Sequence, residues 1–382
     1  MAYKLKLGEA LDTGVRRIAL QQLDRASETL ATMDAARWVH ETRKSLKRVR
    51  ALLRLARGGI DKAVWRGLNA ELRDIGRLLA GHRDLDVRRE TIARLVETAD
   101  LPLAAALERL AGIETDAASA VQQPNASPRQ MLAAFAAAND RLLLVRAALA
   151  RLDMDIGPRT LETGLCRTHR LGRKTLETCR AAPDSDAFHE LRKAVQLHWR
   201  QMQVLGPAWP DLFKARVDSA RALAQCLGLE HDFAVLAQWL DNCLDAATAK
   251  AAQRRDVRLV VAACHKAQGA LRETALREAD LLFAGRPRVF ASETVSYWSA
   301  AVTAGTSDGP AASKAARRSM QRSPEPTTPM AERHQAAVVD RGRANVKKGS
   351  TRQRRAADGS GGARLVRAKR RPKARPAPAG ST

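Results

Sequence analysis

Over the first 285 residues, Leu, Ala and Val recur at helical spacing, β-branched runs are almost absent, and Gly and Pro are confined to short breaks. That period belongs to amphipathic helices and predicts an all-α region. Breaks fall at Arg57-Gly58-Gly59, Gly81, Leu101-Pro102, Gln123 to Pro128, Gly157-Pro158, Ala182-Pro183-Asp184, Gly206 to Pro210 and Gly228,. They cut the region into about eight helices, enough for two four-helix bundles. The most apolar stretches, Leu101 to Gly112, Met131 to Leu152 and Leu259 to Cys264, are too short or are interrupted by charge, so no membrane span is predicted,. After Trp298 the pattern lapses into Ala, Gly, Ser, Thr, Pro and basic residues with almost nothing to bury. Such a segment cannot offset its ordering entropy, and a disordered tail is expected over residues 288 to 382.

One helix stands out. On the stretch from His40 to Arg54, His40, Arg43, Lys47, Arg50 and Arg54 fall within about an 80° sector at 100° per residue, with Leu46, Val49, Leu52, Leu53 and Ala56 opposite,. The helix would pack by one stripe and present a row of cations on the other. Like charges at i, i+3 and i+4 repel, so an anionic partner is the natural compensation; a merely solvated face is the plainer alternative.

A second copy begins 149 residues later with His189-Glu190-Leu191-Arg192-Lys193. Its His189, Arg192, Lys193 and Arg200 share one face, and Leu191, Val195, Met202 and Leu205 the other. Gln196 stands where the first copy has Lys47, which weakens this face, and His198 among the apolar positions reads as a satisfied core histidine. Each copy is followed by a similar element, Leu78 to Val87 and Cys226 to Val235, with 44 residues from His40 to Asp84 and 43 from His189 to Asp232. Matching order and spacing argue an internal duplication. The expected organisation is two pseudo-symmetric bundles, residues 1 to 155 and 156 to 287, each contributing one basic helix, then the tail.

Charge sharpens this. Lys plus Arg number 66 against 41 Asp plus Glu, a net +25, and from Arg286 onward the balance is 21 against 6. An anionic partner is indicated for both core and tail. Five scattered cysteines, with no Cys-x-x-Cys, suggest neither disulfides nor zinc and read as reduced, cytosolic packing residues,. The N-terminus lacks a secretory apolar run,.

At these residues the sequence resembles the CHAD family, named for a histidine-containing α-helical domain. The likeness rests on Tyr3-Lys4-Leu5 with Gly8-Glu9, Val15-Arg16-Arg17-Ile18, the His-x-x-Arg-Lys helix twice, one Arg-Asp-Leu-Asp-Val element at Arg83 to Val87, and the basic segment Gly164 to Lys174. It covers about residues 3 to 287, with Gln196 and His169 departing from the pattern. The resemblance implies two bundles side by side lining a basic cavity that binds inorganic polyphosphate, and a location on polyphosphate granules in the cytoplasm. It implies phosphate contacts at His40, Arg43, Lys44, Lys47, Arg50, His189, Arg192, Lys193 and Arg200. Arg54 extends the first row, and Arg170 and Lys174 of the basic segment join the candidates. Without a Glu-x-Glu-x-Lys strand, the chain is expected to be a free-standing form rather than one fused to a triphosphate-processing domain.

Polyphosphate carries about one negative charge per phosphate and no bases, so rows of bidentate Arg and mobile Lys suit it. Binding should weaken steeply with salt. Asp84, Asp86 and Asp232 invite a metal or hydrolase reading with His40 and His189; the alternative is a cap or an orienting role, with Asp84 and Asp232 holding Arg43 and Arg192. No P-loop, Ser/His/Asp order or two-metal carboxylate cluster is visible, so neither catalysis nor a cofactor is expected. The second reading is nucleic-acid binding, chiefly through tail runs such as Lys347-Lys348 and Lys369 to Arg371. With aromatics only 4% of the chain and none interleaved with the basic runs, bases find little to stack on,. The sequence does not set the oligomeric state.

Overall fold

The computed structural model describes residues 3–28, 34–79, 84–97, 99–120, 128–245 and 251–307. Among them the chain is all-α, with eleven α-helices, two 3-10 turns and no strand. In order they are α1 (Leu11–Glu28), α2 (Ala35–Leu55), α3 (Lys62–Leu78), α4 (Asp84–Glu97), α5 (Leu101–Ala120), α6 (Pro128–Arg151), α7 (Pro158–Ala181), α8 (Ser185–Leu205), α9 (Pro210–Asp245), α10 (Ala251–Leu282) and α11 (Pro287–Ser307).

The duplication is visible in the two basic helices. Both are 21 residues long. Asp34 caps α2 by accepting from the Arg37 amide at 2.9 Å, and Asp184 caps α8 by accepting from the Ala187 amide at 2.8 Å; each satisfies an amide that the first helical turn leaves open. Each helix then runs into a 3-10 turn, Arg57–Gly59 or Gly206–Ala208. In the first half α1, α2, α3 and α6 pack together, and in the second α7, α8, α9 and α10.

Packing also crosses between the halves. The largest buried cluster joins Val15, Ile18, Trp38, Leu52, Ile75, Phe135 and Leu142 to Leu161 and Leu165 of α7, Met202 and Leu205 of α8, and Phe290, Ala291, Val295 and Trp298 of α11. The Trp38 indole N–H donates to the Ala26 carbonyl at 2.8 Å and its ring meets Phe135 edge-on. A second cluster lies inside the second bundle around Phe188, Leu191, Leu227 and Phe283. In a third, Leu95 and Leu107 of the α4–α5 hairpin bury against Phe233, Leu236 and Val260 of α9 and α10, where Asp256 takes both arms of Arg109 at 2.7 and 2.8 Å. At the seam the Leu5 amide donates to the Val204 carbonyl at 3.0 Å, and a Cβ at Gly164 would stand 2.2 Å from the Leu55 carbonyl oxygen. Only glycine lets α7 approach the end of α2 so closely.

Three expectations are corrected. Residues 288 to 307 of the expected tail are helical, as part of α11, because Ala291, Val295 and Trp298 form a buried i, i+4, i+7 stripe that overall composition conceals,. The remainder of the tail lies outside the described residues. No break occurs at Gly228: α9 runs through it, an interior glycine costing a helix only about 1 kcal/mol,. And there are eleven helices among the described residues rather than about eight: six, α1 to α6, precede α7, and α11 follows the four of the second half.

Candidate functional site

The stripe of α2 expected to pack does so: Leu46, Val49, Leu52, Leu53 and Ala56 are all buried. That orients the cation row toward α3. The Arg43 Nη1 donates to the carbonyls of Gly76 at 3.1 Å and Leu79 at 3.2 Å, at the negative end of α3,. Arg50 Nε donates to Asn69 Oδ1 at 3.2 Å. Between the two helices lies a groove of about 200 Å³ lined by Arg43, Leu46, Lys47, Arg50, Leu72, Arg73, Gly76 and Arg77. Five of the eight lining residues are cations, and none is an acid. Asp74, outside the lining, accepts from Arg73 at 3.1 Å and Arg77 at 3.2 Å.

The crowding has an electrostatic signature. Burial, and then Arg54, Arg73 and Arg77, lower the pKa of Arg50. Burial and Arg57 lower that of Arg54, while Glu190 of α8 works the other way. His40 is exposed, and Lys44 pairs with Glu41 at 3.3 Å. Arg73 and Arg77 were absent from the sequence candidates. Their signal was present, since Arg66, Arg73 and Arg77 recur at i, i+7 and i+11 on α3,.

In the second half, α8 sits beside α2 and antiparallel to it, with Glu190 near Arg54 at one end and Arg200 near Arg48 at the other. Arg192 lies against Gly228, where an added Cβ would stand 3.5 Å from its Nη2. Asp232 follows one turn later on the same side of α9. The side chain of Asp84, its counterpart, lies outside the described residues, as does that of Asp86. Lys193 pairs with Glu190 at 2.6 Å. The ring of His189 faces that of His231 at 4.7 Å, and burial followed by neighbouring cations lowers the pKa of both.

Arg200 departs from its expected place. It shares the azimuth of His189, but three turns further along α8 the first half covers the helix, leaving Arg200 buried. Its Nη1 donates to the Gln196 carbonyl at 2.7 Å, its guanidinium lies over the Trp199 ring, and burial brings its pKa down to about 10. Arg170 and Lys174 are exposed on α7 and have no hydrogen bond, ion pair or ring contact with the cations of α2 or α8. His198 is in the core as expected but is not satisfied. Neither ring nitrogen has a partner, and burial drives its pKa to about 3. Beside it, the buried His169 donates from Nε2 to the Gly285 carbonyl at 2.8 Å and stacks on Phe290.

The CHAD domain model matches residues 16–241, well over half of the chain. The chain belongs to the CHAD domain family. This family is associated with polyphosphate binding. Among solved structures the chain is similar to PptA from Streptomyces chartreusis, at 17% identity and a TM-score of 0.48 over 70% of this chain and 97% of that one. It is also similar to the CHAD domain of the plant Ricinus communis, again at 17% and 0.48, over 75% and 94%. No curated protein matches. Among the described residues of this CHAD protein, no group of three or more His, Cys, Asp or Glu is placed to hold a metal, and no helix is long and apolar enough to cross a membrane. Burial raises the thiol pKa of Cys179 to about 11 and that of Cys264 to about 12, which suits packing rather than reactivity,.

Proposed function

We propose that this chain binds inorganic polyphosphate without catalysing its turnover, and that it does so on polyphosphate granules. The observation that carries the reading is the α2–α3 groove, where Arg43, Lys47, Arg50, Arg73 and Arg77 converge with no acid in the lining. Their mutual repulsion, felt at Arg50, is relieved when phosphate oxygens enter. Arginine meets non-bridging oxygens with paired hydrogen bonds, and Lys47 follows a flexible chain as a mobile charge. His40, Lys44 and Arg54 extend this track on α2, and His189, Arg192 and Lys193 extend it on α8. Arg170 and Lys174 supply a peripheral contact from α7. Arg200, being buried, holds the seam between the halves rather than the polymer. Asp232 acts as a positioning residue for Arg192, and Asp84 for Arg43.

The test is a salt titration of long-chain polyphosphate against single-stranded DNA of equal charge on the full chain. A tenfold or greater preference for polyphosphate (about 1.4 kcal/mol), lost in Lys47→Ala with Arg50→Ala, supports the reading. Equal binding of the two polymers overturns it. Phosphate release with Mg²⁺ or Mn²⁺ overturns the non-catalytic part.

A further inference from the structure

A second cavity, larger than the α2–α3 groove and built differently, lies beside the second basic helix. It measures about 510 Å³ and is lined by Ser185, Asp186, His189, His231, Trp239 and Asn242, with Gln238 and two small apolar residues completing the wall. That volume is in the range of small-molecule sites. Three of its walls are aromatic rings, in a chain with few of them. His189 and His231 face each other at 4.7 Å, and the Trp239 ring carries the Arg88 guanidinium at 5.0 Å. The two histidines are held toward the neutral form by burial and by Arg192 and Lys193, so they offer π-faces and single N–H donors.

The polar groups are as particular. Gln238 Nε2 donates to Asn242 Oδ1 at 3.1 Å, which leaves an amide oxygen on Gln238 and an amide N–H on Asn242 one helical turn apart. An acceptor beside a donor matches the edge of a nucleobase. Asp186 and Ser185 supply oxygens suited to sugar hydroxyls, while a bare polyphosphate would meet in Asp186 only repulsion. One turn beyond His189 on α8, outside the lining itself, stand the cations Arg192 and Lys193, electrostatic neighbours of both histidines.

We propose that this cavity binds a nucleoside polyphosphate, the base stacked among Trp239, His231 and His189 and the phosphates directed to Arg192 and Lys193. The inference shares His189, Arg192 and Lys193 with the polyphosphate track and to that extent rests on that reading. The base pocket itself is independent of it.

Adenosine triphosphate and inorganic tripolyphosphate carry the same run of three phosphates, so their affinities for the full chain, measured by titration calorimetry, isolate the contribution of the base. The expected result is at least tenfold tighter binding of the nucleotide, reduced severalfold by the exposed pair Gln238→Ala and Asn242→Ala. Trp239→Ala should abolish the preference and Trp239→Phe restore most of it, with tripolyphosphate affinity unchanged throughout. If Trp239→Ala fails to fold, the exposed pair decides. Equal affinity for the two ligands overturns the inference and leaves polyphosphate binding intact. A preference that survives both sets of variants overturns the assignment to this cavity. Nucleotide binding without binding of long-chain polyphosphate overturns the polyphosphate reading instead, and binding of neither ligand removes both.

Discussion

The α2 and α8 helices began as one element and now face their surroundings differently. Each has an Asp cap, the same length, an arginine reaching toward the following helix and a 3-10 turn at its end. Beyond the His-x-x-Arg-Lys segment they diverge. Where α2 continues with Lys47, Arg50 and Arg54 along an open groove, α8 continues with Gln196, Trp199 and a buried Arg200, and its cavity is walled by histidine and tryptophan. The positions that define each helix and its packing match between the two. The lining positions differ, with cations along one groove and rings around the other cavity.

The largest expected effect tests how separate the halves are. Trp298→Ala and Phe290→Ala, on a helix that follows the second half in sequence, should each cost about 3–5 kcal/mol. Hydrogen exchange should place the loss first in α7 and the Gly206–Ala208 turn, on which α11 packs, and then in the first-half helices that share their buried cluster; loss confined to α9 and α10 would contradict the shared core. Next comes the division of binding. Lys47→Ala, Arg50→Ala and Arg77→Ala together should weaken polyphosphate binding about a hundredfold (about 3 kcal/mol), while Lys193→Ala, already paired with Glu190, should cost fivefold or less. Comparable losses from the two halves would erase the proposed asymmetry.

A smaller effect concerns pH. His198 titrates near 3 when folded, against an ordinary value of 6.5. The unfolded chain therefore takes up the proton first, and stability is full above pH 6.5 and declines as pH falls from there toward 3. The slope is roughly 1.4 kcal/mol per pH unit for this one group, and His198→Leu should remove it from the acid limb of a thermal melt. No counterpart exists on α2, where Val49 stands at the matching position near the end of the basic segment. The smallest effect should be the same in both halves: Asp34→Ala and Asp184→Ala each lower stability by about 1 kcal/mol, and a large inequality in chemical denaturation would show that the caps carry different loads.

Much of this was readable in the sequence because helical period is a local property. The α2 stripe, the repeat of the histidine segment, the all-α class and most of the breaks follow from spacing within a dozen residues. What escaped depends on what lies opposite. Arg200 has the right azimuth for the basic face, yet the first half covers it, and no local pattern records that. Arg73 and Arg77 are ordinary surface arginines until α3 is placed beside α2. Gly228 reads as a breaker but lies inside α9, beside Arg192. The α11 stripe, diluted among Ser, Thr and Ala, was lost in a compositional average.

The bond from Leu5 to Val204 and the place of α11 in the cluster shared by the two halves have a meaning for biosynthesis. At roughly 5–20 residues per second, Trp298 leaves the ribosome some 15 to 60 seconds after α1 does. Through that interval the cluster that Val15, Ile18 and Trp38 share with α7, α8 and α11 stays incomplete, while the growing chain already displays its row of cations to a crowded, polyanionic cell. Early engagement of a polyanion and late closure of the core would then compete, and the order in which they occur becomes a property of translation speed.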